Sequence, residues 1–168
     1  LTGEHRSYWL ELTPEDFVRK PWSTGDFVLA RAGAGEGPRC RALWTEVGRG
    51  FWTERIRWKE ARWRQHLESA DRIAFWVAAV GGEDIGFFEL CRSRRGVKLE
   101  GFGLLPGWRG RGLGGRLLSA ATELAFDMGA RRVWLHTATD DHPNALPNYR
   151  ARGYRVVREA PLRNPVGG

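Results

Sequence analysis

The residues that most plainly announce chemistry are Arg109-Gly110-Arg111-Gly112-Leu113-Gly114-Gly115-Arg116, led in by Pro106-Gly107-Trp108. Glycine lets a backbone approach a ligand closely and take up positive φ. A helix that begins among such glycines offers free N–H groups and the positive end of its dipole, both of which attract phosphate. Arg109, Arg111 and Arg116 add charge at the same place. Gly110, Gly112, Gly114 and Gly115 weaken helix nucleation, and a purely structural turn with solvated arginines leaves that cost without compensation. The stretch is therefore read as an anion cradle. A nucleotide-binding loop of the Walker type is excluded, because no Lys-Ser or Lys-Thr follows the glycines. Gly110-x-Gly112-x-x-Gly115 does match the dinucleotide fingerprint, with Asp140 following after a strand. Against it, Pro106 to Arg109 separate the glycines from the preceding strand, and two antiparallel strands come before that one. Roughly 50 residues remain after Gly115, too few for the rest of a doubly wound domain.

The elements that must position this turn follow from hydrophobic period. Ser7 to Leu12 alternates weakly and reads as an edge strand; Phe27 to Arg31 is a clearer strand, ended by the Gly-rich stretch from Gly33 to Pro38. Helical segments are expected over Arg39–Val47 and Trp58–Ser69, the second with Trp63, His66 and Leu67 on one face. Ile73 to Val80 is an apolar run. Gly81-Gly82-Glu83-Asp84 supplies a turn, Ile85 to Cys91 returns, and a turn at Ser93 to Gly96 leads into Val97 to Leu105. These three make an antiparallel meander. Leu113, Leu117, Leu118, Ala121, Leu124, Ala125 and Met128 then recur at helical period, with Gly129 as a stop. The helix would run about 24 Å. Val133 to Thr137 alternates as a strand, Asn144 can cap a short helix to about Arg152, and Tyr154 to Arg158 is a last strand. The reading is α/β: a mixed sheet, antiparallel first and parallel across the long helix.

Composition sets the outer limits. The 168 residues suit one domain, read as 1–168 with a core of about 26–160 and an N-terminal extension of 1–25. Hydrophobic residues at 42% indicate a globular chain. No apolar run approaches the ~18 residues of a membrane span, and the first residues show no secretory signal, so a cytoplasmic location is the default. Leu1 is not a methionine. Cys40 and Cys91 have neither metal nor redox spacing and read as two small hydrophobes. The net charge is +7, and apart from Lys20, Lys59 and Lys98 the cations are arginines. They are scattered among acids, so dedicated nucleic-acid binding is not expected.

Two motifs in order carry a resemblance. Arg109-Gly110-Arg111-Gly112-Leu113-Gly114 fits the pattern Arg/Gln-x-x-Gly-x-Gly/Ala of the GNAT superfamily of N-acetyltransferases. Ala145, Tyr149, Gly153 and Tyr154 have the spacing of its closing segment. The chain further resembles a bacterial subgroup with Leu135-His136-Thr137 followed by Asp141-His142-Pro143-x-Ala145-Leu146-Pro147-x-Tyr149. The resemblance implies the GNAT-like sheet, an antiparallel meander then β-α-β-α-β with helices on both faces. It implies acetyl-CoA (coenzyme A) as cofactor and an amine on a small molecule or peptide as acceptor. Dimers are common among the proteins resembled, which admits a homodimer; no membrane partner is implied. By the same resemblance, backbone N–H groups from Arg109 to Gly114, with Gly115 and Arg116 adjoining, would bind the pyrophosphate. Main-chain groups of Leu104 and Leu105 would pair with the pantetheine arm. Where the superfamily often has an asparagine contacting the cofactor, this chain has His142, with Asn144 two residues on. Either would bond the pantetheine amides, unless Asn144 serves only as the helix cap.

Tyr149 would sit near the thioester sulfur. As the amine attacks the acetyl carbonyl and thiolate leaves, a tyrosine with a pKa of ~10 is protonated and can donate to that sulfur. The alternative is a packed tyrosine of an amphipathic helix. An ammonium acceptor must also lose a proton to a base. The family often places glutamate on the strand before the turn, and the matching position is Lys98. Glu100 lies two residues on, and Glu89 stands among Phe87, Phe88 and Leu90, so it faces a cleft or is paired. Glu89 is placed slightly ahead of Glu100, with His136 and Asp140 as further options. Trp44, Trp52, Trp58 and Trp63 belong to segments that by resemblance border the acceptor cleft; core packing accounts for most, and a few would line an acceptor pocket. The expected activity is direct acetyl transfer to a primary amine. The rival is a non-catalytic acyl-CoA-binding or partner-binding module that kept the cleft, suggested by the missing carboxylate at Lys98.

Overall fold

The computed structural model describes residues 4–162. In chain order its elements are β1 (Arg6–Leu12), β2 (Val28–Arg31), α1 (Gly37–Val47), α2 (Glu60–Glu68), β3 (Ile73–Val80), β4 (Glu83–Ser93), β5 (Gly96–Leu104), α3 (Leu113–Asp127), β6 (Val133–Ala138), α4 (Ala145–Ala151) and β7 (Arg155–Pro161). The strands form one sheet in the order β2-β3-β4-β5-β6-β1-β7. The meander β3-β4-β5 is antiparallel throughout. Its first turn is the pair Gly81-Gly82, both at positive φ, as a two-residue hairpin loop matching strand twist requires. Ala74, Phe75, Val77 and Ala78 are all buried, so the unbroken apolar run of β3 belongs to a strand covered on both faces.

One expectation is corrected. Residues 7–12 were expected at an edge, within an extension outside the core; instead β1 runs antiparallel to β6 on one side and to β7 on the other. Leu10 and Leu12 are fully buried in the main apolar cluster with Leu117, Leu118 and Leu135. The weak alternation of β1 reflects an interior strand whose two neighbours are more than a hundred residues away in sequence.

Helices cover both faces. Leu117, Leu118 and Ala121 of α3 pack on one face with Phe88 and Tyr154. On the other, Leu43 and Trp44 of α1 and Trp63 and Leu67 of α2 pack on Phe75, Val77 and Phe87. The consequence for the site lies between β5 and β6. They pair in parallel only at Val97–Val133 and Lys98–Trp134, although β5 continues to Leu104 and β6 to Ala138. Beyond Lys98 the strands part. A bulge begins the parting: Glu89 faces Gly101 and Leu90 faces Leu99, which leaves Glu100 as the extra residue.

Candidate active site

The parted strands open into a cavity of about 340 Å³. At one end are the glycine turn and the start of α3, with Arg109, Gly110, Gly112, Gly114 and Gly115 in its wall. Along its length lie Phe102, Gly103 and Leu104 of β5 and Asn144, Ala145, Asn148 and Tyr149 of the α4 region. Where the strands separate, it is bounded by Glu100, His136, Asp141 and His142, with Phe51 and Trp52 from the α1–α2 connection.

The cradle is built by backbone. Gly112 at φ 77° caps α3 and Gly110 stands at φ 75°. The N–H groups of Leu113, Gly114 and Gly115 follow as the unpaired first turn of the helix. The arginines expected to supply charge are occupied elsewhere. Arg109 donates from Nε to the Leu104 carbonyl at 3.2 Å and from Nη2 to the Val47 carbonyl at 3.1 Å, so it ties the end of β5 to the end of α1. Arg111 lies 4.5 Å over the Trp108 ring, and Arg116 pairs with Asp26 at 3.5 Å. Leu113 turns its side chain into the core.

Two cations that the sequence did not single out lie against the start of α3, behind the residues that line the cavity. Lys20 Nζ donates to the Gly112 carbonyl at 3.3 Å. Arg152 packs beneath the first turn of α3: a Cβ on Gly115 would meet its Nη1 at 2.8 Å and Lys20 Cδ at 2.9 Å. Arg152 Nε and Nη1 are buried with no hydrogen-bond partner among the described residues. A cation against a helix N-terminus opposes the dipole, and an arriving anion offsets that conflict. The residues therefore fit a phosphate-bearing group such as the pyrophosphate of coenzyme A. Asn148 on α4 and Arg152 at its C-terminal cap, four apart and facing α3, were the available signal. Nothing near Lys20 in sequence points to the turn.

The main chain of Leu105 does not serve a pantetheine arm. Its N–H donates to the Ile85 carbonyl at 2.7 Å, and its carbonyl accepts from Trp108 at 2.9 Å. Alternation along the strand turns the main-chain groups of Phe102 and Leu104 away from β4, toward the opening. Asn144 likewise departs from its capping role. It makes no side-chain cap bond, its own N–H donates to His142 Nδ1 at 3.1 Å, and both residues line the cavity.

Tyr149 is buried except toward the cavity, its ring between Phe102 and Tyr154 at centroid distances of 6.3 and 5.9 Å. Burial first, then Asp141 and Tyr154, push its phenol pKa well above the ordinary 10. His136 packs against Trp9, with ring centroids 4.7 Å apart and the ring planes tilted by 48°. Partial burial and then Lys98 draw its pKa below the ordinary 6.5, against the opposing pull of Asp141, Glu100 and Glu54. Glu100 faces the cavity but is paired with Lys98 at 2.8 Å. Asp141 accepts from the Thr137 hydroxyl and from the Ala138 N–H at 3.1 Å.

Glu89 lies outside the cavity wall and is 1% exposed. Arg55 grips both of its oxygens, at 2.6 and 3.0 Å, and His66 Nε2 donates to Oε2 at 2.8 Å. Burial alone would raise its pKa, but the bonds from His66 and Arg55 outweigh burial and hold it below the usual carboxylate range. The paired alternative left open for Glu89 is the one found. Asp140 is also engaged away from the cavity, with His5 at 2.5 Å. Of the four tryptophans only Trp52 lines the cavity; Trp44, Trp58 and Trp63 surround Arg55.

Known proteins resemble this chain in sequence and in fold. An aminoglycoside N(6′)-acetyltransferase type 1 of Stenotrophomonas maltophilia is 29% identical over 126 residues, 70% of this chain and 81% of that protein. A GCN5-related N-acetyltransferase from Sphaerobacter thermophilus superposes with a TM-score of 0.70 at 19% identity, over 93% of this chain and 50% of that one. The chain thus spans half the length of that protein. AAC(6′)-Iy, solved with the bisubstrate analogue CoA-S-monomethyl-acetylneamine, superposes with a TM-score of 0.64 at 20% identity, over 83% of this chain and 97% of that one. The two structural likenesses are likenesses of fold. The model of the acetyltransferase (GNAT) family matches residues 38–154, and the chain belongs to that family.

Proposed function

We propose that this chain is an acetyl-CoA-dependent N-acetyltransferase acting on a primary amine. The observation that carries the reading is one continuous cavity, which joins the phosphate cradle at Gly112–Gly115 to Tyr149, His136 and the aromatic wall of Phe51 and Trp52. Bound acetyl-CoA supplies the acetyl group and leaves as the thiol. The first turn of α3 would hold its phosphates, with Lys20 and Arg152 behind. Phe102 and the N–H of Leu104, whose carbonyl is taken by Arg109, would offer main-chain bonds to its arm. Asn144 and His142 line the same path.

Tyr149 is assigned the general acid, donating its phenolic proton to the departing sulfur. Its raised pKa keeps that proton in place across the neutral range. His136 is assigned the base. Its lowered pKa keeps the imidazole neutral near pH 7, so it can take the proton that the amine releases. Glu100 is the weaker candidate, because the ammonium of Lys98 already stabilises its carboxylate. Glu89 cannot serve from outside the cavity.

A thiol-release assay across a panel of amines tests the reading. The aminoglycoside relative puts amino sugars first in that panel, with diamines, amino acids and peptide N-termini beside them. Acetylated product and stoichiometric thiol are expected with at least one class. Tight acetyl-CoA binding without turnover on any of them would favour a non-catalytic binding module.

A further inference from the structure

The aromatic side of the cavity is carried by a segment with neither helix nor strand. Residues 48–59 join α1 to α2 and bring Phe51 and Trp52 to the wall. Arg55 lies in the same segment but points inward and is 7% exposed. Its guanidinium makes the two-pronged bond to Glu89 and sits 4.0, 4.6 and 5.4 Å from the ring centroids of Trp44, Trp58 and Trp63. A buried ion pair is a poor way to gain stability, since apolar residues of similar volume often do as well. What a two-pronged arginine–carboxylate bond provides is direction: it admits one position and one orientation.

That direction is transmitted to the cavity by contact. Trp44, under Arg55, packs on Trp52 at 5.0 Å. Trp52 meets Phe87 edge-on at 6.0 Å, and Phe87 lies two residues from Glu89 on the same face of β4. Space for both indoles is reserved by glycine. A Cβ at Gly48 would fall 2.4 Å from Trp52 Cε3, and one at Gly101 would fall 2.8 Å from Trp44 Cζ3. Trp52 is thus held from below by Trp44 and from the side by β4, and Arg55 is the charged tie between its segment and that strand.

We infer that Arg55, Glu89 and His66 form a positioning device that sets where Trp52 stands in the acceptor wall, and thereby which amines fit. The inference rests on the acetyl-transfer reading of the cavity. It assigns Glu89 no contact with either substrate.

Two variants test it: Glu89→Gln, and the apolar replacement Arg55→Met with Glu89→Leu. The double variant removes both charges of the Arg55–Glu89 pair and fills their space, leaving only the His66 N–H without its partner, and so remains informative if Glu89→Gln fails to fold. For the best amine of the panel, KM is expected to rise at least tenfold in the double variant, while KM for acetyl-CoA stays within twofold. A packing role alone would not produce that split in a variant that melts at or above the wild-type temperature. Independently of turnover, 5-fluorotryptophan labelling should show the Trp52 resonance, assigned with Trp52→Phe, shifted or broadened in the double variant. A folded double variant with wild-type amine KM and an unmoved Trp52 resonance overturns the inference. If the wild-type protein acetylates no amine, the functional reading fails, and the Trp52 resonance still decides whether the device positions that side chain.

Discussion

Replacing Tyr149 by phenylalanine isolates one atom. The ring is held by Phe102 and Tyr154 at 6.3 and 5.9 Å, contacts that phenylalanine keeps. The hydroxyl has no hydrogen-bond partner among the described residues and belongs to a side chain that lines the cavity, so its loss orphans no buried group. A change of stability within about 0.5 kcal/mol is expected. Catalysis should respond very differently. Burial, reinforced by Asp141 and Tyr154, keeps the phenol protonated well beyond pH 10, so the donor is present at every practical assay pH. Loss of a positioned general acid costs about 10² to 10⁴ in rate, which at 1.36 kcal/mol per decade is about 2.7 to 5.4 kcal/mol of transition-state stabilisation. The measurement is kcat for thiol release at saturating amine, beside acetyl-CoA affinity by calorimetry and a thermal melt. Acetyl-CoA affinity should stay within about threefold. An acetyl thioester of a more acidic thiol needs less protonation as it leaves, so the deficit should shrink with it. A kcat within threefold of wild type, or a deficit equal for both thioesters, would refute the acid role.

With His136 as base, kcat/KM should fall on the acid side with a midpoint below 6.5, because its folded-state pKa lies below that value; His136→Gln should remove that limb. The sign for stability is the same: the neutral form is favoured in the fold, so the contribution is present above pH 6.5 and is lost as pH falls through the lowered pKa. A limb that survives His136→Gln unchanged would point to Glu100. Arg152→Met should weaken acetyl-CoA binding about tenfold, about 1.4 kcal/mol, without lowering the melting temperature, since it removes a cation that lacks a partner; calorimetry showing affinity within twofold of wild type would dismiss Arg152 from the cradle. Gly112→Ala places its methyl in open space and should cost only the left-handed conformation, about 1 to 2 kcal/mol. Gly112→Asp adds negative charge at the cradle and should abolish acetyl-CoA binding in a folded protein.

The turn, the long helix behind it and the meander before it were legible because each is a local pattern. Glycine spacing, a helical apolar stripe and alternation between turn residues need no knowledge of distant partners. What was not legible depended on such partners. Glu89 stood out as a carboxylate in an apolar run, but only the fold brings Arg55 and His66 to it, from a connecting segment and a neighbouring helix. Arg109 looked like a phosphate ligand by position and proved to be a brace, because the last turn of α1 ends beside it with the carbonyl of Val47 open. Conversely, Lys20 carries no motif, and reaches the turn because the segment after β1 crosses α3, where its N–H bonds Ser119 at 2.8 Å. The placement of β1 was misjudged for the same reason, since alternation shows which face a residue takes but not which strands flank it.

The interior position of β1 has a consequence for the order in which the molecule can be completed. Its partners are residues 133–138 and 155–161, so β1 precedes both by more than a hundred residues and is among the last of the described strands to find its place. The meander and its covering helices can assemble while the chain is still being synthesised. The pairing of β1 with β6, which carries His136, must wait until residue 138 is available, and its pairing with β7 until residue 161; pairings this remote in sequence form slowly. Until β1 docks, β6 presents an open edge of the kind that recruits other chains. The base of the proposed reaction therefore gains the strand that flanks it only when β1 docks, and β1 brings with it Trp9, whose tilted ring packs against His136.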